Sequence, residues 1–145
     1  MRVLVQDSPF DLAAEMTGFG GDGMGAIVTF TGVVRNNDRG DLVAMDIEHY
    51  PGMTQSALVR IATEASERWS LGDVLVIHRH GRLAPGEQIM MVATASRHRK
   101  DAFEAAEYLM DYLKSRAPFW KKEITRDSAD WVAARDEDEA ALGRW

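Results

Sequence analysis

The chain has 145 residues, of which 46% are hydrophobic, and this length and composition suit one folded domain with a sizeable core. Its formal net charge of −6 argues against a nucleic-acid-binding protein, because such domains usually carry a basic surface. The sequence has no cysteine, which excludes disulfides, thiolate nucleophiles and cysteine-ligated zinc. We therefore expect a single domain over residues 1–145.

The apolar segments of the sequence are short. The most apolar stretch, residues 25–34, has about half of the roughly 20 residues that a transmembrane helix needs. The acidic N-terminal segment lacks the features of a signal peptide. We expect a soluble, cytoplasmic protein that binds neither membranes nor nucleic acids.

Positive charge is concentrated in one part of the chain. Residues 78–126 hold 10 of the 17 Lys and Arg residues against six acidic residues, whereas the rest of the chain is strongly acidic. This distribution favours a compact anionic ligand, because the acidic remainder would repel a long polyanion. A solvated charged face explains the same distribution without any ligand.

Turn residues and hydrophobic periodicity predict the elements of the first third of the chain. Residues Arg2–Gln6 are predicted to form a strand, and Ser8 and Pro9 to cap and begin a short helix. The segment AIVTFTGVVR, residues 26–35, is rich in β-branched and aromatic residues, which predicts a buried strand. Residues 42–50 are predicted to pair with this strand in antiparallel fashion.

The middle of the chain has the clearest periodicity. Residues 54–69, beginning at a capping Thr54, are predicted to form a helix with one apolar stripe. Two predicted strands, 73–80 and 87–96, flank the turn sequence LAPGE and should form a hairpin. Residues 100–116 have helical spacing of apolar side chains, and Pro118 should end that helix.

The end of the sequence has weaker patterns. Residues 119–125 and 131–134 are predicted to be short strands, and the charged tail is predicted to be helical. Strands and helices do not alternate regularly along the whole chain, which indicates an α+β fold and not a doubly wound parallel sheet. We expect antiparallel sheets and two main helices, 54–69 and 100–116.

Histidines in the predicted hairpin are candidates for metal ligands. His78 and His80 lie two positions apart in a strand, so they face the same side and could bind one metal ion. The spacing supplies no third ligand, so we expect ordinary histidines and no metal. His49 precedes Tyr50 and Pro51 and is interpreted as a structural turn residue.

A basic cluster lies at the start of the predicted helix 100–116. Arg97, His98 and Arg99 stand where unpaired backbone N–H groups and the helix dipole favour an anion, which makes a phosphate site credible. Ion pairs with Asp101 and Glu104 would explain the same cluster without a ligand.

A second cationic group lies at the other end of that helix. Lys114 is in the last turn, on the side predicted to face the core, and Lys121 and Lys122 follow the aromatic pair Phe119 and Trp120. Two lysines beside aromatic rings could bind a phosphorylated planar ring, and burial or a neighbouring cation would lower a lysine pKa. Cations that stabilise a helix C-terminus are a common alternative.

Seven segments resemble, in order and spacing, the catalytic (large) subunit family of molybdopterin synthase. They are FTGVVR (30–35), EHYPGM (48–53), VIHRHG (76–81), SRHR (96–99), AFEAAEYLMDYLKSRAPFWKKE (102–123), WVAAR (131–135) and RW (144–145). The resemblance extends from about Gly25 to the end of the sequence. Its most specific part is MDYLKSRAPFWKKE, whereas the first 24 residues are not diagnostic.

This resemblance implies a fold, a reaction and partners. The fold is of the α/β-hammerhead type, and the large subunits form a homodimer within a heterotetramer. A small ubiquitin-like subunit, whose C-terminal Gly-Gly tail is a thiocarboxylate, donates sulfur. As a sulfurtransferase, the large subunit would place two sulfurs on cyclic pyranopterin monophosphate to form the dithiolene of molybdopterin, in molybdenum cofactor biosynthesis. No metal or other cofactor is implied, and sulfur carried by a partner suits a chain without cysteine.

The resemblance also implies which residues form the site. Lys114 and Lys121 match the catalytic lysines, and Lys114 is expected to position the thiocarboxylate and to assist proton transfer. Arg135 is expected to hold the phosphate end of the substrate across the dimer, and the dimer is expected to form without the small subunit. Substrate contacts are implied for Val33, Val34, Arg35, His98, Arg99, Lys114, Lys121, Lys122, Glu123 and Arg135.

Two other functions fit the residues alone. The same cations could bind a phosphorylated heterocycle without reacting it. Alternatively, His78 and His80 could support a metal-dependent phosphoesterase.

Overall fold

Two four-stranded sheets organise the chain, which a computed structural model describes over all residues 1–145. Sheet A contains, in spatial order, β1 (Arg2–Gln6), β4 (Asp73–Arg79), β6 (Gln88–Ser96) and β2 (Ala26–Val33). Sheet B contains β5 (Gly81–Leu83), β3 (Leu42–His49), β7 (Phe119–Thr125) and β8 (Ala129–Trp131). All neighbouring strands are antiparallel except β1 and β4, which are parallel.

Four helices accompany the sheets. They are α1 (Leu12–Met16), α2 (Met53–Trp69), α3 (Arg99–Ser115) and α4 (Asp136–Ala141), and a 3₁₀ turn, Leu142–Arg144, follows the last. The two 17-residue helices α2 and α3 supply much of the main core. No helix has both the length and the apolar character needed to cross a membrane. The α+β fold with antiparallel sheets and two main helices is confirmed.

The apolar stripes of α2 and α3 explain how they pack. Leu58, Ile61 and Ala62 on α2 recur at helical spacing and are completely or almost completely buried. Ala105 and Leu109 of α3 belong to the same core cluster. A smaller cluster covers the other face of sheet A, so the central strands β4 and β6 are buried on both sides. This two-sided burial accounts for their nearly continuous apolar sequences.

Two predictions about strands are wrong. β2 is an edge strand and not a buried one, since Ile27 is 52% and Phe30 44% exposed, and it ends at Val33. β3 pairs with β5 and β7 in sheet B and not with β2. In the loop between them, the side-chain oxygens of Asn36 and Asn37 accept hydrogen bonds from the N–H groups of Leu42 and Asp41, at 3.1 Å each, so the first N–H of β3 bonds to the turn and not to β2.

The predicted starts of two helices also differ from the structure. α1 is capped by Asp11, whose carboxylate accepts a hydrogen bond from the N–H of Ala14 at 3.0 Å, and not by Ser8. α2 is preceded by Gly52. The hydroxyl of Thr54 instead accepts from the N–H of Tyr50 and donates to the carbonyl of Pro118, each at 3.0 Å. Thr54 thus joins the start of α2 to the residue before β7.

Candidate functional site

A cavity of about 360 Å³ lies where the end of β2, the middle of β7 and the end of α3 meet. Its cationic lining residues come from distant parts of the sequence. The full lining consists of Val33, Val34, Arg35, Asn36, Asn37, Asp38, Met45, Ile89, Lys114, Lys121, Glu123 and Arg135. We call this space the lysine cavity.

The chain leaving β2 forms one wall of the lysine cavity. The register of β2 with β6 shifts between Gly32 and Val33, which marks a bulge. Val34 then bonds to the turn before β6: its N–H donates to the carbonyl of Glu87 at 2.8 Å, and its carbonyl accepts from the N–H of Gly86 at 2.7 Å. Because Val34 is only 2% exposed, it anchors the wall that carries Arg35.

The two lysines come from consecutive elements. Lys114 lies in the last turn of α3, and Lys121 is the third residue of β7. Lys121 and Glu123 alternate with Lys122 along the strand and therefore share one face. The side chain of Lys114 is exposed at the cavity and does not enter the core as its spacing predicted, whereas Lys121 is half-buried.

The environment of Lys121 changes its acidity. Burial, followed by the positive charge of Lys114, lowers the pKa of Lys121 to about 8, while Asp138 acts in the opposite direction. A lysine of this pKa is partly neutral near pH 7, so Lys121 can accept as well as donate a proton.

His78 packs beside the lysines in an aromatic contact. Its ring stacks on Phe119 with centroids 3.7 Å apart, and its Nδ1–H donates to the carbonyl of Arg79 at 2.8 Å. Burial lowers the pKa of His78 to about 3, with the charges of Lys121 and Lys114 adding to the effect. His78 is therefore neutral at physiological pH.

The other histidine of the predicted pair has a different neighbour. His80 packs against His49, with ring centroids 4.1 Å apart. No group of three or more His, Asp or Glu side chains is placed to hold a metal ion. The structure therefore adds no third ligand to the two histidines that the sequence singled out.

Seven of the ten residues that the resemblance implied line the lysine cavity. They are Val33, Val34, Arg35, Lys114, Lys121, Glu123 and Arg135. His98 and Arg99 do not: they are exposed at the start of α3, roughly 22 Å along the helix axis from Lys114. Lys122 lies on the other face of β7, with its Nζ 4.6 Å from the ring centroid of Trp131.

Arg135 reaches the lysine cavity of its own chain. It precedes α4 and forms an ion pair with Glu137. No second copy of the chain is needed to bring Arg135 to this place. Its action across a dimer stays a prediction.

Sequence reasoning missed several residues of the lysine cavity. Asn36, Asn37 and Asp38 belong to a polar turn that was interpreted only as a connection. The side-chain amide of Asn37 donates to Asp41 at 2.6 Å, which fixes the turn. Their only sign in the sequence was a polar turn directly after the predicted strand 26–35.

A second cavity, of about 340 Å³, lies near the start of the chain. Its cation Arg2 is paired with Glu15, and Asp73 accepts a hydrogen bond from the N–H of Gly20 at 3.2 Å. Arg2 is therefore already neutralised by a carboxylate. The lysine cavity is the better anion site, because four cations line it against two carboxylates.

The fold and the lysine cavity together define a small α+β protein with a site for a compact anion and a group suited to proton transfer. Residues 5–116 match the family model described as MoaE protein. The chain is 67% identical to the molybdopterin synthase catalytic subunit of Cereibacter sphaeroides, with 100% of both chains covered. It is 51% identical to the subunit of that name from Escherichia coli, with 99% of this chain and 97% of the relative covered.

Solved structures agree with the sequence comparison. The molybdopterin biosynthesis MoaE protein of Burkholderia ambifaria has a TM-score of 0.85 and 50% identity, covering 99% of this chain and 97% of that one. A molybdopterin synthase structure from Staphylococcus aureus has a TM-score of 0.83 and 31% identity, covering 89% and 95%. The chain belongs to the MoaE family, the catalytic subunits of molybdopterin synthase, which are enzymes of molybdenum cofactor biosynthesis. The resemblance found in the sequence is confirmed.

Proposed function

We propose that the chain transfers sulfur to cyclic pyranopterin monophosphate from the thiocarboxylated tail of a small ubiquitin-like subunit. Two such transfers form the dithiolene of molybdopterin. The observation that carries this proposal is the pairing of Lys114 with a partly neutral Lys121 in a cavity that Arg35 and Arg135 also line.

The substrate's charge and shape fit the lysine cavity. Arg35 and Arg135 offer planar guanidinium groups, which bind phosphate oxygens in pairs. Met45 and Ile89 supply apolar surface for the fused ring. A volume of about 360 Å³ lies in the range of small-molecule sites.

Each lysine has a distinct role in the proposed reaction. Lys114, exposed at the cavity, attracts the anionic thiocarboxylate and holds its sulfur against the substrate. Sulfur then bonds to a substrate carbon as that carbon loses its bond to oxygen, which leaves as the opened phosphate in one transfer and as water in the other, and the sulfur remains linked to the acyl group of the tail. Water cleaves the acyl–sulfur bond, so the tail leaves as a carboxylate and the sulfur stays on the substrate. Lys121 moves the protons that these steps require.

The three implied residues outside the lysine cavity need another explanation. His98 and Arg99 lie at the far end of α3 from Lys114, so only a second copy of the chain could bring them to the same substrate. The proposed homodimer, within a heterotetramer with two small subunits, supplies that copy. Lys122 would contact the substrate only after leaving Trp131.

A reconstituted assay tests the proposal. The protein is mixed with the thiocarboxylated small subunit and cyclic pyranopterin monophosphate, and molybdopterin is detected by fluorescence after oxidation. Lys114→Ala should lower turnover about 100-fold or more, because it removes a positioned catalytic group, while substrate affinity should change little. Lys100→Ala is the matched control, since Lys100 is an exposed lysine of the same helix paired with Glu104 at 3.5 Å.

The same assay separates the enzyme from a binding protein. A protein that only binds the phosphorylated heterocycle would give no product with a competent donor, and Lys114→Ala would weaken its affinity. Either a wild-type protein without product or a Lys114→Ala variant with full turnover would contradict the proposal.

A further inference from the structure

The last eleven residues, 135–145, form a segment that we call the strap. Arg135 at its start lines the lysine cavity. The strap continues through α4 and the 3₁₀ turn to Arg144 and Trp145. The proposed chemistry gives these last two residues no role, although they form many contacts.

The strap is attached first beside the catalytic lysine. The hydroxyl of Ser115 donates to the backbone carbonyl of Asp138 at 3.0 Å. The two Nη groups of Arg116 donate to the two carboxylate oxygens of Glu139, each at 2.8 Å. Ser115 and Arg116 directly follow Lys114, so α4 lies along the end of α3 that carries this lysine.

The second attachment is an aromatic anchor on the middle of α3. The ring of Trp145 packs edge-on against Trp69 and Tyr108, with centroids 5.6 and 5.7 Å apart. Its indole N–H donates to Asp111 at 2.5 Å, and its carbonyl accepts from Arg68 at 3.0 Å. A partly buried ring whose N–H has an acceptor is a specific attachment.

Asp111 is the centre of this anchor. Besides the indole N–H of Trp145, its two oxygens accept hydrogen bonds from Arg144 at 2.9 and 2.8 Å. Its side chain is only 13% exposed, so these charge-assisted bonds are better shielded from water than an ordinary surface ion pair. A second carboxylate, that of Glu107, lies 2.8 Å from Arg144.

Apart from these attachments, the strap has little to hold it in place. None of the six residues of α4 is buried, and a helix of this length is unstable on its own. The side chain of Arg135 pairs only with Glu137, which is itself part of the strap. The position of Arg135 at the lysine cavity therefore depends on how the strap is attached.

We infer that Trp145 and Asp111 are positioning residues, which hold Arg135 at the lysine cavity by anchoring the strap on α3. The claim about catalysis rests on the proposed function, whereas the claim about the strap does not. The two claims therefore need separate measurements.

The position of the strap can be measured without any activity. The chain has no cysteine, so spin labels can be placed at Ala140→Cys on α4 and Val59→Cys on α2, both exposed. Double electron–electron resonance should give a narrow distribution of distances between the two labels, and this distribution should broaden in Trp145→Ala. Phe103→Ala, which removes an exposed aromatic of α3 outside the anchor, should leave the distribution narrow. An unchanged distribution in Trp145→Ala would overturn the inference, whether or not the protein is a sulfurtransferase.

Turnover then tests whether the anchor acts through Arg135. Arg135→Ala should raise the KM for cyclic pyranopterin monophosphate about tenfold, and Trp145→Ala and Asp111→Ala should each do the same, with a smaller change in kcat. Asp111→Asn, which keeps an acceptor oxygen, should recover part of the loss. The double variant Arg135→Ala/Trp145→Ala should be no worse than Arg135→Ala alone. Additive losses in the double variant would refute action through Arg135.

A folding control completes the experiment. Trp145 is only partly buried and packs on the surface of the main core through Trp69 and Tyr108, so Trp145→Ala should lower the thermal unfolding midpoint by several degrees and leave the protein folded. If Trp145→Ala is instead grossly unfolded, Asp111→Asn and Asp111→Ala decide the question by the same distance and KM measurements. Wild-type KM values for both Asp111 variants, in folded protein, would overturn the inference.

Discussion

Removing Lys114 should change the acidity of Lys121, and this change can be worked out from the site. Burial and the charge of Lys114 lower the pKa of Lys121 from 10.5 to about 8. Lys114→Ala removes the cation and leaves most of the burial. The pKa of Lys121 should therefore rise to a value between about 8 and 10.5.

The size of the effect follows from the definition of the pKa. At pH 7, a lysine of pKa about 8 is neutral in about one molecule in ten, which is about 300 times the neutral fraction at pKa 10.5. If the pKa of Lys121 rose by only about half a unit, its neutral fraction at pH 7 would fall about threefold. Lys114→Ala should thus impair proton transfer at Lys121 in addition to removing its own ammonium group.

Nuclear magnetic resonance can follow this titration directly. The chain has only four lysines, so signals of labelled lysine Cε and Nζ atoms can be assigned by single substitutions. Lys122→Ala is the matched control, because Lys122 lies on the other face of β7 and should leave the pKa of Lys121 near its wild-type value. An unchanged or lower pKa of Lys121 in Lys114→Ala would refute the coupling of the two lysines.

Three further predictions concern folding stability. The pKa of His78 is lowered from 6.5 to about 3, so between these pH values the unfolded chain binds a proton that the folded chain excludes. The free energy of unfolding should therefore fall as the pH drops from 6.5 to about 3, and it should fall less steeply in His78→Phe. Urea denaturation at several pH values would measure both slopes. Leu58→Ala should lower the free energy of unfolding, measured in urea, by about 2–5 kcal/mol, because Leu58 is fully buried. A decrease below about 1 kcal/mol would contradict this packing. Gly25→Ala should lower the thermal midpoint, since a Cβ would lie 2.5 Å from the carbonyl oxygen of Arg97, whereas Gly143→Ala meets no atom within 4 Å and should change little.

The sequence predicted the fold best where a pattern is local. The apolar stripe of α2 and the continuous apolar runs of β4 and β6 each reflect the burial of one element, so their positions were predicted within a few residues. Which strands pair is a non-local property. The apolar residues of β2 suggested a central strand, and no local feature of β2 or β3 indicates that the two lie in different sheets.

The candidate site was predictable only in part, for the same reason. Spacing suggested that Lys114 and Lys121 could approach each other, but the resemblance to a family singled them out. Asp138 was missed because it comes near Lys121 only when the strap folds back over α3. The contribution of Asn36 was missed because a polar turn looks alike whether it lines a cavity or only connects strands.

The most direct test of the account is to find where the sulfur-bearing tail of the proposed small subunit enters the chain. A photo-crosslinking amino acid placed in the tail, just before its Gly-Gly end, would be activated in the assembled complex, and the linked peptides identified by mass spectrometry. We expect crosslinks to peptides that line the lysine cavity, around Lys114 and Arg35, and fewer crosslinks when an excess of the unlabelled thiocarboxylated subunit competes. Crosslinks mainly to the cavity around Arg2 and Glu15 would contradict the assignment of the lysine cavity as the site of sulfur transfer.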